Sequence, residues 1–234
     1  MRAPPGPSDF RSKMPAHANL SRGERRAHVL EVAAALLEEE GPEALRAREL
    51  TAAVGSSTQA VYTLFGGMPG LLEALVADGF GRFAEYVEAV PESDDPVTDF
   101  FAQGRAYTDW ALRHPQHYRL MFGLTGADPR LRAGLEVSAS RTYFGPPEGL
   151  AAFQIMVRAM DRIQASGRIR PIDSIVAAGQ FLSATHGYVL LAIGGVFGRE
   201  DAGLEVIATL AVNLMVGLGD AREAAERSIA ATLG

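Results

Sequence analysis

The chain has 234 residues, of which 47% are hydrophobic and 21% charged, a composition that is globular and not disordered. It contains no cysteine, which excludes disulfides and thiolate metal sites. The net charge is −6, but residues 1–28 carry a balance of +4 and residues 1–70 balance to zero, so the later part is acidic. An acidic body repels a phosphate backbone, whereas the basic N-terminal segment can approach one. A solvated tail that happens to be basic is the alternative interpretation.

The first 21 residues are rich in Pro, Gly and Ser and have no apolar periodicity, so we expect a flexible basic arm. We find no secretory signal and expect a cytoplasmic protein. Apolar residues then follow helical spacing up to Gly41-Pro42. The predicted helices of this part are about 22–40, 46–53, 57–65 and 69–89. They give a small three-helix domain over 22–68 and a connecting helix over 69–90.

The segment SSTQAVYTLF, residues 56–65, contains strand-forming residues, but its periodicity is helical. At 100° per residue, Ala60, Val61, Leu64 and Phe65 share one side, whereas alternate residues give no consistently apolar face. Such a two-turn helix is too short to be stable alone, so its apolar side must dock on neighbours. Its outer side carries uncharged hydrogen-bonding groups, namely Thr58, Gln59, Tyr62 and Thr63, and Ser57 is its predicted N-cap.

The turn cluster Pro91–Pro96 predicts a boundary, after which residues 91–234 form a helical body. The predicted helices there are about 96–113, 115–122, 147–166, 172–197 and 202–231. The fold class is therefore all-α, with a three-helix head and a larger helical body.

Two runs in the body, Ser174–Gly198 and Val206–Gly219, contain no charged residue. The first is long enough to span a bilayer, but it includes several polar side chains, and the second is too short. Helices buried on most sides need a second partner beyond their own core. We therefore predict a homodimer through the helices at about 172–197 and 202–231, and no membrane span.

Three short helices with a tight turn at Val54-Gly55-Ser56 form a helix-turn-helix, whose last helix suits the major groove of DNA. The sequence RRAHVLEVAAALLEEEGPEALRARELTAAVGSSTQAVYTLFGGMPGLLEAL, residues 25–75, resembles the DNA-binding head of the tetracycline-repressor (TetR) family. The motifs A-x-x-L-L-x-x-x-G-x-x-A-L, R-E-L-x-x-x-V-G and S-T-x-A-V-Y-x-x-F-G occur in order. In the body, HPQHYRLMFG (114–123) and ATHGYVLLAIGG (184–195) resemble a C-terminal type named for a Trp-His-Gly motif, with Thr185 in place of Trp.

The resemblance implies that the outer side of the third helix faces double-stranded DNA at a palindromic operator. Gln59 is the expected base reader, because a carboxamide pairs with adenine N6/N7. Phosphate contacts are expected from Tyr62, Thr58 and Arg48. The family's usual Lys after the turn is Met68 here, and Arg46 stands where the second helix usually begins with Thr. The full expected DNA-binding set is Arg46, Arg48, Ser57, Thr58, Gln59, Tyr62 and Thr63.

The aromatic and Met residues of the body are core residues by default, and some can line an apolar cavity for a small effector. The candidates for effector binding are Tyr107, Trp110, Tyr118, Met156 and His186. His114 and His117 have a spacing that metal sites use, but Pro115 lies between them and no acidic ligand is near in sequence, so no metal site is expected.

No catalytic motif and no cofactor motif is present, so we expect no enzymatic activity and no cofactor. The sequence predicts a bacterial, ligand-responsive transcriptional regulator, with repression as the expected sign. The alternative is an all-α enzyme or a membrane-associated helical protein with a fortuitous helix-turn-helix.

Overall fold

The computed structural model describes residues 21–45, 50, 52, 58–124, 134–135, 143–144, 146–198 and 200–232. These residues form nine α-helices: α1 (Arg22–Glu40), α2 (Thr58–Phe65), α3 (Met68–Glu88), α4 (Pro96–Arg113), α5 (Pro115–Met121), α6 (Pro147–Ala165), α7 (Ser174–Ile193), α8 (Glu200–Gly217) and α9 (Arg222–Ala230). A 3-10 turn, Pro42–Leu45, follows α1. The predicted all-α class is confirmed. One short antiparallel pair, β1 (Gly134–Leu135) with β2 (Tyr143–Phe144), was not predicted.

Local sequence signals fix both ends of α1. The Ser21 hydroxyl accepts a hydrogen bond from the Glu24 backbone N–H at 3.2 Å, and the Ser21 N–H donates to the Glu24 carboxylate at 2.7 Å. This reciprocal capping box satisfies two backbone groups that a helix N-terminus leaves unpaired. The helix ends before Gly41, as the sequence predicts.

In the head, α1, α2 and the first half of α3 meet at an apolar core that continues into the body. Leu37, Leu50, Val61, Leu71 and Leu75 are almost completely buried there. Leu50 and residue 52 are the parts of the predicted second helix, 46–53, that the structure describes, and both are helical. The rest of that helix and the predicted turn at 54–56 lie outside the described residues.

Helix α3 continues from the head into the body without a break. Its middle approaches α5 so closely that a Cβ on Gly79 would lie 2.9 Å from the Met121 sulfur. A larger residue at this crossing would require the Met121 side chain to shift. Beyond it, Phe83 makes edge-to-face contacts with Tyr107 at 4.8 Å and with Trp110 at 5.4 Å between ring centroids. Head and body thus share one rigid element.

The predicted single helix over 202–231 is wrong, because the chain turns between α8 and α9. Gly219 has φ +116°, which L side chains rarely adopt, and the Leu218 carbonyl accepts a hydrogen bond from the Arg170 N–H at 3.0 Å. The helix predicted at 172–197 is also shorter, since Asp173 caps its start and it ends before Gly194. Tertiary contacts to the connector at 166–173 therefore decide where α8 stops.

Arg168 on that connector joins three distant parts of the body. Its guanidinium forms a two-pronged ion pair with Asp220, at 2.8 and 2.7 Å, and a third contact with Asp95 at 2.8 Å. Asp95 also caps α4 and accepts a hydrogen bond from the Ser228 hydroxyl at 2.5 Å. Because the Asp220 side chain is only 2% exposed, its charge depends on Arg168.

We expect Arg168→Met to destabilise the fold by about 3 kcal/mol, because it leaves the Asp220 carboxylate buried without its cation. The measurement is urea unfolding followed by circular dichroism at one fixed protein concentration. Arg222→Met is the matched control, because its 3.7 Å pair with Glu226 is half exposed and should cost less than about 0.5 kcal/mol. If Arg168→Met lowered the free energy of unfolding no more than Arg222→Met does, the stabilising role of the Arg168 network would be contradicted.

Candidate DNA-binding face and ligand cavity

Helix α2 separates its residues as the helical period predicts. Val61 is 2% exposed and packs in the head core, while Tyr62 is 59% exposed and Gln59 and Thr63 are exposed beside it. The Thr63 hydroxyl donates to the Gln59 carbonyl at 2.8 Å, which leaves its oxygen free to accept. The Gln59 and Tyr62 side chains therefore project outward from a helix whose opposite side is anchored.

The other expected DNA contacts are less completely described. Arg46, Arg48 and Ser57 lie outside the described residues, and Thr58 starts α2 without a described side chain. Gly66 and Gly67 follow α2 directly, and Met68 begins α3.

Two arginines at the start of α1 lie beside α2, although the sequence analysis did not include them in the DNA-binding set. Arg22 donates to the Thr63 carbonyl at 3.1 Å, and the Arg26 guanidinium lies 4.9 Å from the centre of the Phe65 ring. Both contacts hold positive charge beside α2. The only sequence signal for them was the basic balance of residues 1–28.

The body contains a cavity of about 320 Å³. Helices α3, α4, α6, α7 and α8 contribute to its wall, and Phe122, Ile229 and Thr232 also line it. Most lining side chains are apolar, the uncharged polar ones from α4 and α7 are Gln103, Tyr107, Thr108 and Thr185, and Arg105 of α4 is charged. An apolar cavity of this size with few polar groups is the usual form of a small-molecule site.

Of the five expected effector contacts, Tyr107 and Met156 line the cavity. The other three, Trp110, Tyr118 and His186, are not among its described lining residues. They stand behind the wall, where the Tyr107 and Tyr118 hydroxyls are 2.7 Å apart and the Tyr118 hydroxyl is 2.5 Å from His186 Nδ1. The sequence could not separate the residues that line the cavity from those behind them, because the aromatic residues of both groups follow the same helical spacing.

The three hydrogen-bonded side chains Tyr107, Tyr118 and His186 are uncharged at neutral pH. Burial lowers the pKa of His186, which favours the neutral imidazole. Burial also raises the pKa of Tyr107 and of Tyr118 well above the ordinary value, so both phenols keep their protons. The side of the cavity behind Tyr107 therefore provides hydrogen bonding without charge.

Helix α5 connects the head to the hydrogen-bonded side chains Tyr107, Tyr118 and His186. His117 Nδ1 lies 2.6 Å from a Glu38 carboxylate oxygen, which also accepts the His117 backbone N–H at 2.9 Å. The next residue on α5 is Tyr118. Among the described residues no cluster of three or more His, Asp or Glu side chains could hold a metal ion. His114 is the C-cap residue of α4, and burial lowers its pKa, which favours the neutral imidazole.

An uncharged surface runs along α7 and α8. On α7 it consists of Val176, Gln180, Ser183, Gly187 and Leu191, which follow helical spacing. On α8 it consists of Val206, Leu210, Asn213 and Gly217. We call these nine residues the α7/α8 face. Helix α7 is long and apolar enough to cross a membrane, and only 28% of its 18-residue apolar stretch is buried within the described structure.

Two family profiles match the sequence. Residues 29–75 match the bacterial regulatory proteins of the tetR family, and residues 100–215 match the tetracyclin repressor-like C-terminal domain. No curated protein sequence matches the chain.

Solved structures share the fold. A protein of unknown function from Rhodococcus sp. RHA1 aligns with a TM-score of 0.69 and 26% identity, over 88% of this chain and 100% of that one. RolR in complex with resorcinol aligns with a TM-score of 0.61 and 17% identity, over 89% and 94% of the two chains. TylP, a TetR regulator from Streptomyces fradiae, aligns at 0.58 and 17%, over 89% and 92%.

The chain belongs to the TetR family. It is a ligand-responsive DNA-binding transcriptional regulator, with a helix-turn-helix head and a helical body that holds the cavity.

The Glu38–His117 contact should make the stability of the protein depend on pH. Burial alone would raise the pKa of Glu38, but the hydrogen bonds from His117 hold it below the ordinary value of 4.5. A lowered carboxylate pKa gives stability that is present above the ordinary value and is lost as pH falls through the lowered one. Glu38→Gln should therefore cost about 1–3 kcal/mol at pH 7, and the difference from wild type should shrink in acid.

The measurement is urea unfolding from about pH 3 to about pH 7, because carboxylates titrate in the lower part of this range. Glu39→Gln, which changes an exposed neighbour on α1, should stay within about 0.5 kcal/mol throughout. A Glu38→Gln deficit that does not change with pH would contradict the interpretation.

Proposed function

We propose that the chain is a cytoplasmic homodimeric repressor that leaves a palindromic operator when a small, largely apolar molecule occupies the cavity. The exposed polar side of α2 supports this proposal more than any other observation. Gln59 is assigned to base reading, and Thr63 beside it on the same exposed side is assigned to the groove. In a helix-turn-helix dimer the two reading helices lie about 34–36 Å apart, one turn of DNA.

The phosphate contacts complete this assignment. Arg22 and Arg26 bring positive charge to the edge of α2, and Tyr62 offers a hydroxyl there. Such groups position the head on DNA without reading sequence. The remaining expected contacts, assigned on the family resemblance, are Arg46, Arg48, Ser57 and Thr58.

A second copy of the chain is the proposed cover for the α7/α8 face. None of the nine residues of the face is charged, and Leu191 and Val206 are 48% and 51% exposed. Two arginines reach its α8 end, where Arg222 donates to the Asn213 side chain and Arg170 to the Gly217 carbonyl. Burying such side chains against a twin removes apolar surface from water, and the glycines Gly187 and Gly217 permit close approach. Two copies of α7 and α8 then form a four-helix arrangement, which fixes the spacing of the heads.

The cavity supports release by a ligand. A ligand shifts the equilibrium between two head spacings only by its difference in affinity for the two states. DNA affinity then falls by that coupling free energy and no more. Candidate residues for effector contact are Tyr107 and Met156 on the wall, with Trp110, Tyr118 and His186 acting from behind it. RolR, which has a similar fold, was solved with resorcinol bound.

Gln59→Ala should weaken binding to the selected operator by about 1–3 kcal/mol, because a base-reading carboxamide is lost. The operator is first obtained by selection from a random duplex pool, in which a dimer should yield a palindromic consensus. Because Gln59 is neutral, the dependence of affinity on salt and the affinity for random DNA should not change.

Gln154→Ala is the matched control, since it removes the same side chain from an exposed position on α6. A Gln59→Ala variant that binds the operator like wild type would contradict base reading by this residue. A wild-type protein that binds no duplex DNA even at low salt would contradict the whole proposal.

Leu191→Glu should dissociate the dimer, because it places two carboxylates in an apolar interface. The measurement is sedimentation equilibrium of wild type and variant. Leu124→Glu is the matched control, because Leu124 is 47% exposed and is not one of the nine residues of the α7/α8 face. A monomeric wild type, or one that sediments with lipid vesicles, would contradict the dimer and favour the membrane-associated alternative.

A further inference from the structure

One side of α4 faces the cavity with a regular spacing. Phe100, Gln103, Gly104 and Tyr107 follow i, i+3, i+4 and i+7, and all four line the cavity. Gln103 is the carboxamide in this stripe. Its Oε1 atom is buried and has no hydrogen-bond partner within the part of the chain that the structure describes. Buried polar atoms in native proteins are almost always paired, so this oxygen points to a partner that is not part of the chain.

The neighbouring polar groups on α4 are already engaged with the protein. The Tyr107 hydroxyl is 2.7 Å from that of Tyr118, and the Thr108 hydroxyl donates to the Arg105 carbonyl at 2.9 Å. The Arg105 guanidinium donates to the Thr232 carbonyl. Gln103 Oε1 is therefore the side-chain acceptor on this helix that has no partner within the described residues, and the Thr108 and Thr185 hydroxyls are further neutral contacts.

The charge of the wall excludes an ionic ligand in the interior. Arg105 is the only charged residue among the described lining residues, and it is exposed. A buried carboxylate or ammonium needs an opposite charge and further hydrogen bonds, because it otherwise loses its hydration without compensation. The interior of the cavity offers neither, so a neutral molecule is the better match.

The apolar part of the wall favours a ring. Seven phenylalanines line the cavity. Phe83 and Tyr107 meet edge to face at 4.8 Å, and Phe100 and Phe181 also meet edge to face at 4.8 Å. Aromatic side chains prefer such edge-to-face contacts with further aromatic groups, which gives a flat aromatic ligand many favourable positions.

We propose that the effector is an uncharged aromatic molecule with a hydroxyl group that donates a hydrogen bond to Gln103, and that Gln103 determines specificity for that hydroxyl. This inference rests on the proposed role of the cavity as the effector site. A methyl ether in place of the hydroxyl leaves the Gln103 oxygen unpaired, which lowers affinity by about 5- to 100-fold.

The test is isothermal titration calorimetry of the full chain without DNA, using 2-naphthol, 2-methoxynaphthalene and 2-naphthoate as probes. Wild type should bind 2-naphthol at least about 5-fold more tightly than the ether. Gln103→Leu, similar in size but without the acceptor, should bind both with similar affinity. Gln154→Leu makes the same exchange at an exposed site on α6 and should keep the wild-type preference.

Three results would overturn the inference: equal binding of naphthol and ether by wild type, an unchanged preference in Gln103→Leu, or tightest binding of the naphthoate. Absence of binding by all three probes would overturn the aromatic class as well. A loss of folding in Gln103→Leu is recognised by its unfolding curve, and Gln103→Met then takes its place. The calorimetry contains no DNA, so it tests recognition of the hydroxyl by Gln103 separately from release. If naphthol selectivity depended on Gln103 but naphthol had no effect on operator binding, ligand release would be refuted while recognition of the hydroxyl by Gln103 would be confirmed.

Discussion

Burial of one side of α2 is the contact on which the DNA-binding face depends. Eight residues cannot hold a helix in water, because nucleation costs more than two turns recover. The packing of Val61 against α1 and α3 supplies the missing stability and fixes which residues point outward. Removing that anchor would leave Gln59 and Tyr62 on a disordered segment, with no defined position relative to a groove. The reading surface is therefore a product of the head core.

The same core is joined to the cavity by two elements. Leu71 and Leu75 of α3 belong to the head, whereas Phe80 and Phe83, further along the same helix, line the cavity. Helix α5 offers a second connection, with His117 held by Glu38 of α1 and Tyr118 bonded to the cavity residue Tyr107. A ligand that moves either helix acts directly on the head, because packed helices shift as units and do not deform continuously.

Polar groups in this protein serve two different purposes. The Arg168–Asp220 pair is fully satisfied by the chain and holds the connector, α4 and the α8–α9 turn together. The Gln103 oxygen is buried but unsatisfied by the described chain, on the wall of an apolar cavity. Satisfied networks specify one fold, whereas an unpaired group in a cavity is a site where a second molecule can gain free energy.

The sequence alone determined the all-α class, the bounds of α1, the outward residues of α2 and the family, because helical period, caps and spaced motifs are local signals. It did not determine that α8 ends at Gly217, that Arg22 and Arg26 flank α2, or that Tyr107 lines the cavity while Tyr118 lies behind it. Those features depend on contacts between residues far apart in the chain. Periodicity shows that a side chain faces inward, but only tertiary packing decides whether it meets another side chain or an empty space.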